Sequence, residues 1–183
     1  MKTAIFFERD GVLNLTKTER NNQVVPLTLD QFKVNPEAIP ALRKLKAAGF
    51  LLIATTNQPG LSHGHLSRRE MDWMHEAMRR QLPLDDILVC PHDQSDRCGC
   101  RKPGTGLLVE ASFKWHLDLG LSFVVSDKWQ DAQAAQIVGA TSLLLRSQWN
   151  GNGHHDFLAN SLGEIVQKIQ QLSSASCLVM HQM

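Results

Sequence analysis

The sequence predicts a doubly wound parallel α/β sheet in a single domain, and three observations carry that expectation. Short apolar runs alternate with amphipathic segments from end to end, the rhythm of strand–helix units rather than of hairpins or helical bundles. The 183 residues are 43% hydrophobic and 20% charged, which is enough for one buried core and too apolar for a disordered chain. The polar signatures follow directly after the apolar runs, where open parallel sheets bind ligands beyond the carboxyl ends of their strands.

Taken in order, Ala4–Phe7 reads as a buried strand that Asp10-Gly11 turns at once. Between it and the first helix there is room only for a short flap, Leu15–Val34. Glu37–Ala48 carries Ile39, Leu42 and Leu45 on one helical face, and Gly49 stops it. Phe50–Ala54 is the second strand. Ser67 and Glu70 have the spacing of a capping box and open a helix whose Met71, Met74 and Met78 form a core stripe. Ile87–Val89 is the third strand, Leu107–His116 a helix, Ser122–Val125 a strand, Trp129–Val138 a helix and Thr141–Leu145 the fifth strand. Ser161 and Glu164 start a last helix ending near Leu172. Asn150–His155 reads as a flexible loop and residues 173–183 as a flexible tail, so residues 1–172 make the domain. Trp73, Trp115, Trp129 and Trp149 read as core or half-buried packing.

Charge and cysteine use narrow the partners. Nineteen Lys and Arg stand against eighteen Asp and Glu, with no basic block, so neither nucleic acid nor an anionic membrane is an expected partner. No apolar run reaches the roughly 20 residues that span a bilayer. The apolar start at Met1–Phe7 is broken by Glu8, Arg9 and Asp10, unlike a secretory signal. A cytoplasmic monomer acting on a small metabolite is the expectation. Cys90, Cys98 and Cys100 cluster, while Cys177 stands alone; clustered thiols in a reducing compartment more often bind metal than form disulfides. With His92 they supply three thiolates and one imidazole, a set that suits tetrahedral zinc with no open position and hence a structural role. Its task would be to hold the loop of residues 90–100, which runs straight into Arg101 and Lys102.

Four pieces stand in sequence: F-F-E-R-D-G-V-L-N (6–14), T-T-N-Q-P-G-L-S-H-G (55–64), C-P-H-x5-C-G-C-R-K-P (90–103) and V-S-D-K-W-Q-D (125–131). Their order and spacing resemble the haloacid dehalogenase-like phosphatases, and more narrowly the zinc-containing branch that includes heptose-bisphosphate and histidinol phosphatases. The resemblance implies a Rossmann-like, essentially capless fold and a Mg2+-dependent phosphomonoesterase for a phosphorylated sugar or similar metabolite. Glu8 takes the nucleophile position and Asp10 that of the acid/base. Thr56 would bind the phosphoryl group beside the backbone amides of Asn57 and Gln58. Lys102 would neutralise charge. Asn14, Arg101 and Lys128 match substrate-contacting positions. Magnesium would lie between Glu8, Asp10 and Asp127, supported by Asp131.

Three positions depart from the family pattern: Glu8 stands for aspartate, His63 for a common arginine and Ser126 for glycine. K-P-G-T-G-L also replaces the usual K-P-x-P-G-M, so the turn after Lys102 is expected to differ. Glutamate keeps the charge but adds a methylene, and a misplacement of about 1 Å can cost ~10²-fold in rate. The sequence thus leaves three readings open: an impaired enzyme, a degenerate member that binds a phosphorylated ligand or a protein partner without turnover, and an introduced replacement that traps a complex.

Overall fold

Six parallel strands in the order β5-β4-β1-β6-β7-β8 form the sheet of the computed structural model, which describes residues 2–180. The strands are β1 (Ala4–Glu8), β4 (Leu51–Asn57), β5 (Asp86–Cys90), β6 (Phe123–Ser126), β7 (Thr141–Leu145) and β8 (Phe157–Ala159). A separate hairpin, β2 (Lys17–Glu19) with β3 (Asn22–Val24), forms the flap. The helices are α1 (Ala38–Ala47), α2 (Arg68–Arg79), α3 (Gly106–Trp115), α4 (Trp129–Val138) and α5 (Leu162–Met180).

Strand side chains alternate between two apolar layers, as the pleat requires. Ile5, Phe7, Leu52, Ala54, Phe123 and Val125 belong to the layer shared with α1, α2 and α5. Ala4, Phe6, Ile53 and Val124 belong to the other, which α3 and α4 cover. The methionine stripe is core, with Met71, Met74 and Met78 all buried. β1 lies at the centre between β4 and β6, so the loops after β5, β4, β1 and β6 are neighbours at one end of the sheet. Among the described residues no helix is long and apolar enough to cross a membrane.

Several elements differ from the sequence expectation. The flap is an ordered hairpin whose two-residue turn puts Arg20 and Asn21 at φ 47° and 59°, the backbone of a type I′ turn. Ser67 Oγ accepts the Glu70 N–H at 3.1 Å, but the Glu70 carboxylate accepts the Leu29 N–H at 2.8 Å instead of closing a capping box. α2 thereby pins the base of the flap. A sixth strand, β8, follows the loop that begins at Asn150, and Asn150 itself is buried rather than part of a loose loop. α5 continues past Leu172 to Met180, and within it the Ser173 and Ser174 hydroxyls donate back to the carbonyls of Ile169 and Gln170 at 2.8 Å. Residues 181–183 of the expected tail and the Cys177 side chain lie outside the described residues. Trp115 and Trp149 are half-buried, whereas Trp73 and Trp129 are about two-fifths exposed.

Candidate active site

β1 ends by presenting Glu8 and, two residues on, Asp10, both buried at the carboxyl end of the sheet. Gly11 makes the exit possible. Its φ is +97°, and a Cβ there would collide with the Asp127 carboxylate and lie 2.7 Å from Gln23 Nε2. Only glycine tolerates both the left-handed backbone and that approach. The four sequence pieces meet here.

Glu8 is held at both oxygens. Oε2 accepts from Lys102 Nζ, and Oε1 accepts the Asp10 N–H at 3.2 Å. Lys102 Nζ also donates to Asp131 Oδ1 at 2.7 Å and to the Thr55 carbonyl at 3.2 Å. Burial pushes the Glu8 carboxyl up, but the Lys102 and Lys128 ammoniums and the hydrogen bonds outweigh it and hold the group below the usual carboxylate range. Burial lifts Asp131 to about 6 against the pull of Lys102. Lys102 itself, despite burial, is raised by Asp131 and Glu8, so it stays a cation.

The Asp10 carboxylate has its own cradle. Arg9, fully buried, donates through Nε and Nη2 to both oxygens at 3.0–3.3 Å. Gln58 Nε2 donates to Asp10 Oδ2 and to Thr56 Oγ1, each at 2.7 Å. Thr56 Oγ1 lies 3.4 Å from Asp10 Oδ2. Behind the guanidinium, His75 Nε2 accepts from Arg9 Nη1 at 3.2 Å; burial and the Arg9 charge push this imidazole down to about 4, so it is neutral. Arg9→Lys keeps the charge but loses the two-pronged fork. It is expected to lower stability by about 1.5 kcal/mol in denaturant unfolding, the low end for a hydrogen bond to a charged group; unchanged stability would show that the fork holds nothing.

One expectation for the second piece changes, and the Asn57 side chain has a contact of its own. The Gln58 N–H donates to the Cys90 carbonyl at 2.7 Å, because parallel pairing of β4 with β5 continues to that point, so this amide is not available to a phosphoryl oxygen. The Asn57 side chain brackets the Lys102 peptide, with Nδ2 on its carbonyl at 3.2 Å and Oδ1 on its N–H at 3.1 Å. Asn14 is buried, with Nδ2 on the Leu15 carbonyl and Oδ1 lacking a partner among the described residues. His63 lies outside the crevice, 2.7 Å from Asp93 of the cysteine loop.

An oxygen-rich corner lies between β1 and β6. Lys128 Nζ donates to the Asp10 carbonyl at 2.5 Å and to Asp127 Oδ1 at 2.6 Å. Gln23, from the flap, reaches Asp127 Oδ2 at 3.2 Å, Thr16 Oγ1 at 3.0 Å and the Asp10 carbonyl at 3.4 Å. Ser147 Oγ and Asn150 Nδ2 fix the Asp127 carbonyl at 2.5 and 3.1 Å. Ser126, in the position where glycine is usual, is buried and its Oγ accepts the Lys128 N–H at 3.1 Å. Asp131 Oδ2 is buried with no partner among the described residues. Carboxylates, a carbonyl and an orphaned carboxylate oxygen are the donors a hard cation such as Mg2+ takes. Arg9, Gln23 and Asn150 were invisible as site residues; only the Arg9 position beside Asp10 hinted at a role.

The cysteine loop gathers into one cluster whose ligand atoms all lie within 4.8 Å of one another. Cys90 Sγ is 3.6 Å from Cys98 Sγ and 3.3 Å from Cys100 Sγ, and His92 Nδ1 is 3.4 Å from Cys100 Sγ. A tetrahedron built on Zn–S bonds of ~2.3 Å has edges of about 3.8 Å, so these four side chains fit zinc after a slight expansion. Burial pushes the Cys90 thiol up to about 12. The turn after Lys102 folds back on the cluster: Gly106 N–H donates to the Gly99 carbonyl at 2.9 Å, and a Cβ at Gly106 would lie 2.8 Å from Cys100 Cα. The cluster and Lys102 therefore form one unit. Arg101 Nη1 is anchored on the His92 carbonyl at 3.0 Å.

No family model matches the chain. It is 36% identical over 147 residues to the D-glycero-beta-D-manno-heptose-1,7-bisphosphate 7-phosphatase of Pasteurella multocida strain Pm70, covering 74% of this chain and 77% of that one. It is 31% identical over 185 residues to the protein of the same name from Escherichia coli K12, covering 92% and 94%. Among solved structures, it superposes on the D,D-heptose 1,7-bisphosphate phosphatase of B. bronchiseptica, complexed with magnesium and phosphate, with a TM-score of 0.79 at 26% identity over 93% of this chain and 99% of that one. A putative HAD-like phosphatase from Mesorhizobium loti gives 0.77 at 25% identity, over 93% and 87%.

Proposed function

The chain belongs to the D-glycero-beta-D-manno-heptose-1,7-bisphosphate 7-phosphatase family, and from that premise we propose a Mg2+-dependent phosphomonoesterase for a small phosphorylated sugar, slowed by its own Glu8. The class, a phosphatase, is that of its relatives. The observation that carries the finer reading is the position of the Glu8 carboxylate, held between Lys102 Nζ and the Asp10 N–H. These are the donors that would otherwise face phosphoryl oxygens as charge develops. With the added methylene the carboxylate reaches both donors and would compete with an incoming phosphoryl group for them.

In the reaction, a Glu8 oxygen attacks phosphorus and the bond to the leaving oxygen breaks, with Asp10 supplying the proton that oxygen needs. Water then attacks the phosphorus of the acyl phosphate, Asp10 takes its proton, and Glu8 is released as a carboxylate. Arg9 and Gln58 hold Asp10 at the station where it works. Thr56 donates its hydroxyl to the phosphoryl group, and Lys102 neutralises the nucleophile and the transferred oxygens. Magnesium, when bound by Glu8, the Asp10 carbonyl and Asp127 with Asp131 behind them, supplies charge neutralisation. Lys128, Asn14 and Arg101 hold the substrate. The cytoplasm is the setting, where clustered thiols stay reduced and free to take zinc.

Asp127→Ala is expected to lower magnesium affinity at least ~10-fold, since it removes the carboxylate ligand contributed by β6, while the chain stays folded. Calorimetric titration with Mg2+ alongside a melting curve checks it. Equal affinity in the variant would make the fourth motif an ordinary helix start.

The direct test of the function is phosphate release from a panel of sugar phosphates by the chain and by Glu8→Asp. A chain that binds phosphate but releases none from any substrate would favour the reading without turnover.

A further inference from the structure

β6 delivers Asp127 and Lys128 to the crevice, and the next residue is a tryptophan. Trp129 begins α4 and is 40% exposed, an exposure that the metal and phosphate roles of its neighbours do not explain. Its indole walls a cavity of about 260 Å³ that is also lined by Asn57, Arg97, Arg101 and Lys102. Lys102 belongs to both the cavity and the crevice, so the cavity lies where a leaving group would extend from a phosphoryl group held at Thr56 and Lys102. Its volume falls just under the ~300–1,000 Å³ of sites for drug-sized ligands, room for one sugar-sized ring.

The Trp129 backbone N–H donates to the Trp149 carbonyl at 3.1 Å, and Gly151, at φ +60°, runs beside the ring, where a Cβ would lie 3.4 Å from the indole Cδ1. In the same lining, the Arg97 guanidinium pairs with no group among the described residues, Arg101 donates to the His92 carbonyl, and Asp93 adds one carboxylate. A flat apolar ring and guanidinium donors around one cavity suit a ligand with one apolar face and a polar edge.

We propose that Trp129 determines specificity by stacking on the C–H face of a cyclic leaving group while Arg97 meets that group's polar edge. The proposal rests on the phosphatase reading above and deepens it, selecting ring sugars over open-chain phosphates. A pyranose presents several C–H bonds on one rigid face. An open-chain alcohol has no such face and loses more rotational freedom on docking.

Calorimetric titration in the presence of Mg2+ with inorganic phosphate, glycerol 3-phosphate and glucose 6-phosphate tests it. The parent chain is expected to bind glucose 6-phosphate about 10-fold tighter than glycerol 3-phosphate, the scale of one good aromatic contact. Trp129→Ala should abolish that preference while inorganic phosphate affinity changes by less than about two-fold, and Trp129→Phe should keep most of it. Trp129→Leu, which preserves bulk without a flat face, makes the same comparison if the alanine variant fails to fold. Equal weakening of all three probes, or a parent without preference for the ring, would overturn the stacking role alone. A parent that binds no phosphate would overturn the phosphoryl-site reading and this proposal with it.

Discussion

Glu8→Asp is expected to raise hydrolysis of a sugar phosphate by at least ~100-fold, the scale of correcting a misplacement of about 1 Å at a reacting atom. Asp10, Thr56, Lys102 and Asp127 surround it, so the proposed reading assigns the shortfall to one side chain. Removing a methylene withdraws the carboxylate from Lys102 Nζ and the Asp10 N–H and returns both donors to the incoming phosphoryl group. Rates of phosphate release from parent and variant, measured with saturating Mg2+, check it. A variant no faster than the parent would move the defect elsewhere, with Ser126 beneath Lys128 the next suspect. A parent already turning over at the median enzyme rate of about 10 s⁻¹ would remove the premise.

Cys98→Ser is expected to lose the zinc and to lower unfolding free energy by about 3–5 kcal/mol, a fraction of the ~10–16 kcal/mol that zinc supplies where it organises a whole small domain. The fraction is small because the sheet has two apolar layers of its own. Elemental analysis of protein purified without added metal, and denaturant unfolding of parent and variant, measure the two effects. The loss should also reach activity, since Gly106 ties the cluster to the turn that carries Lys102. No zinc in the parent together with unchanged stability in the variant would end the clasp reading.

The parallel sheet was legible because β1, β4, β5, β6 and β7 are apolar runs bounded by turn residues, and burial imposes such runs on strands covered on both faces. β8 escaped notice because Phe157–Ala159 is only three residues long. The flap hairpin escaped because neither K-T-E nor N-Q-V alternates, and its turn depends on Arg20, a residue with no preference for positive φ. Gln23 was hidden with it. In the site, acids and thiols at fixed spacing announced themselves, since few other chemistries need them there. Arg9 did not: a charged residue at a strand end ordinarily reads as solvent-facing, and its two-pronged pairing with Asp10 together with its bond to His75 accounts for its complete burial. Gln58 was expected to offer its backbone N–H to a phosphoryl oxygen, but that N–H donates to the Cys90 carbonyl and its side chain meets Asp10.

The five residues between His92 and Cys98 are bracketed by two members of the sulfur cluster, and the downstream end is clamped again through Gly99 and Gly106. Beyond those ends the segment's tie to the rest of the chain, among the described residues, is the contact of Asp93 with His63 in the loop after β4. Residues added or exchanged there would reshape the cavity wall that carries Arg97 without shifting Lys102, Asp10 or Thr56, and lengthening a closed loop costs only about 0.6 kcal/mol per doubling. If Arg97 meets the leaving group as proposed, substrate range and bond-breaking chemistry are separable in this molecule. The one can drift by loop exchange while the other stays constant, which makes this short span the natural place to graft a new preference onto an old catalyst.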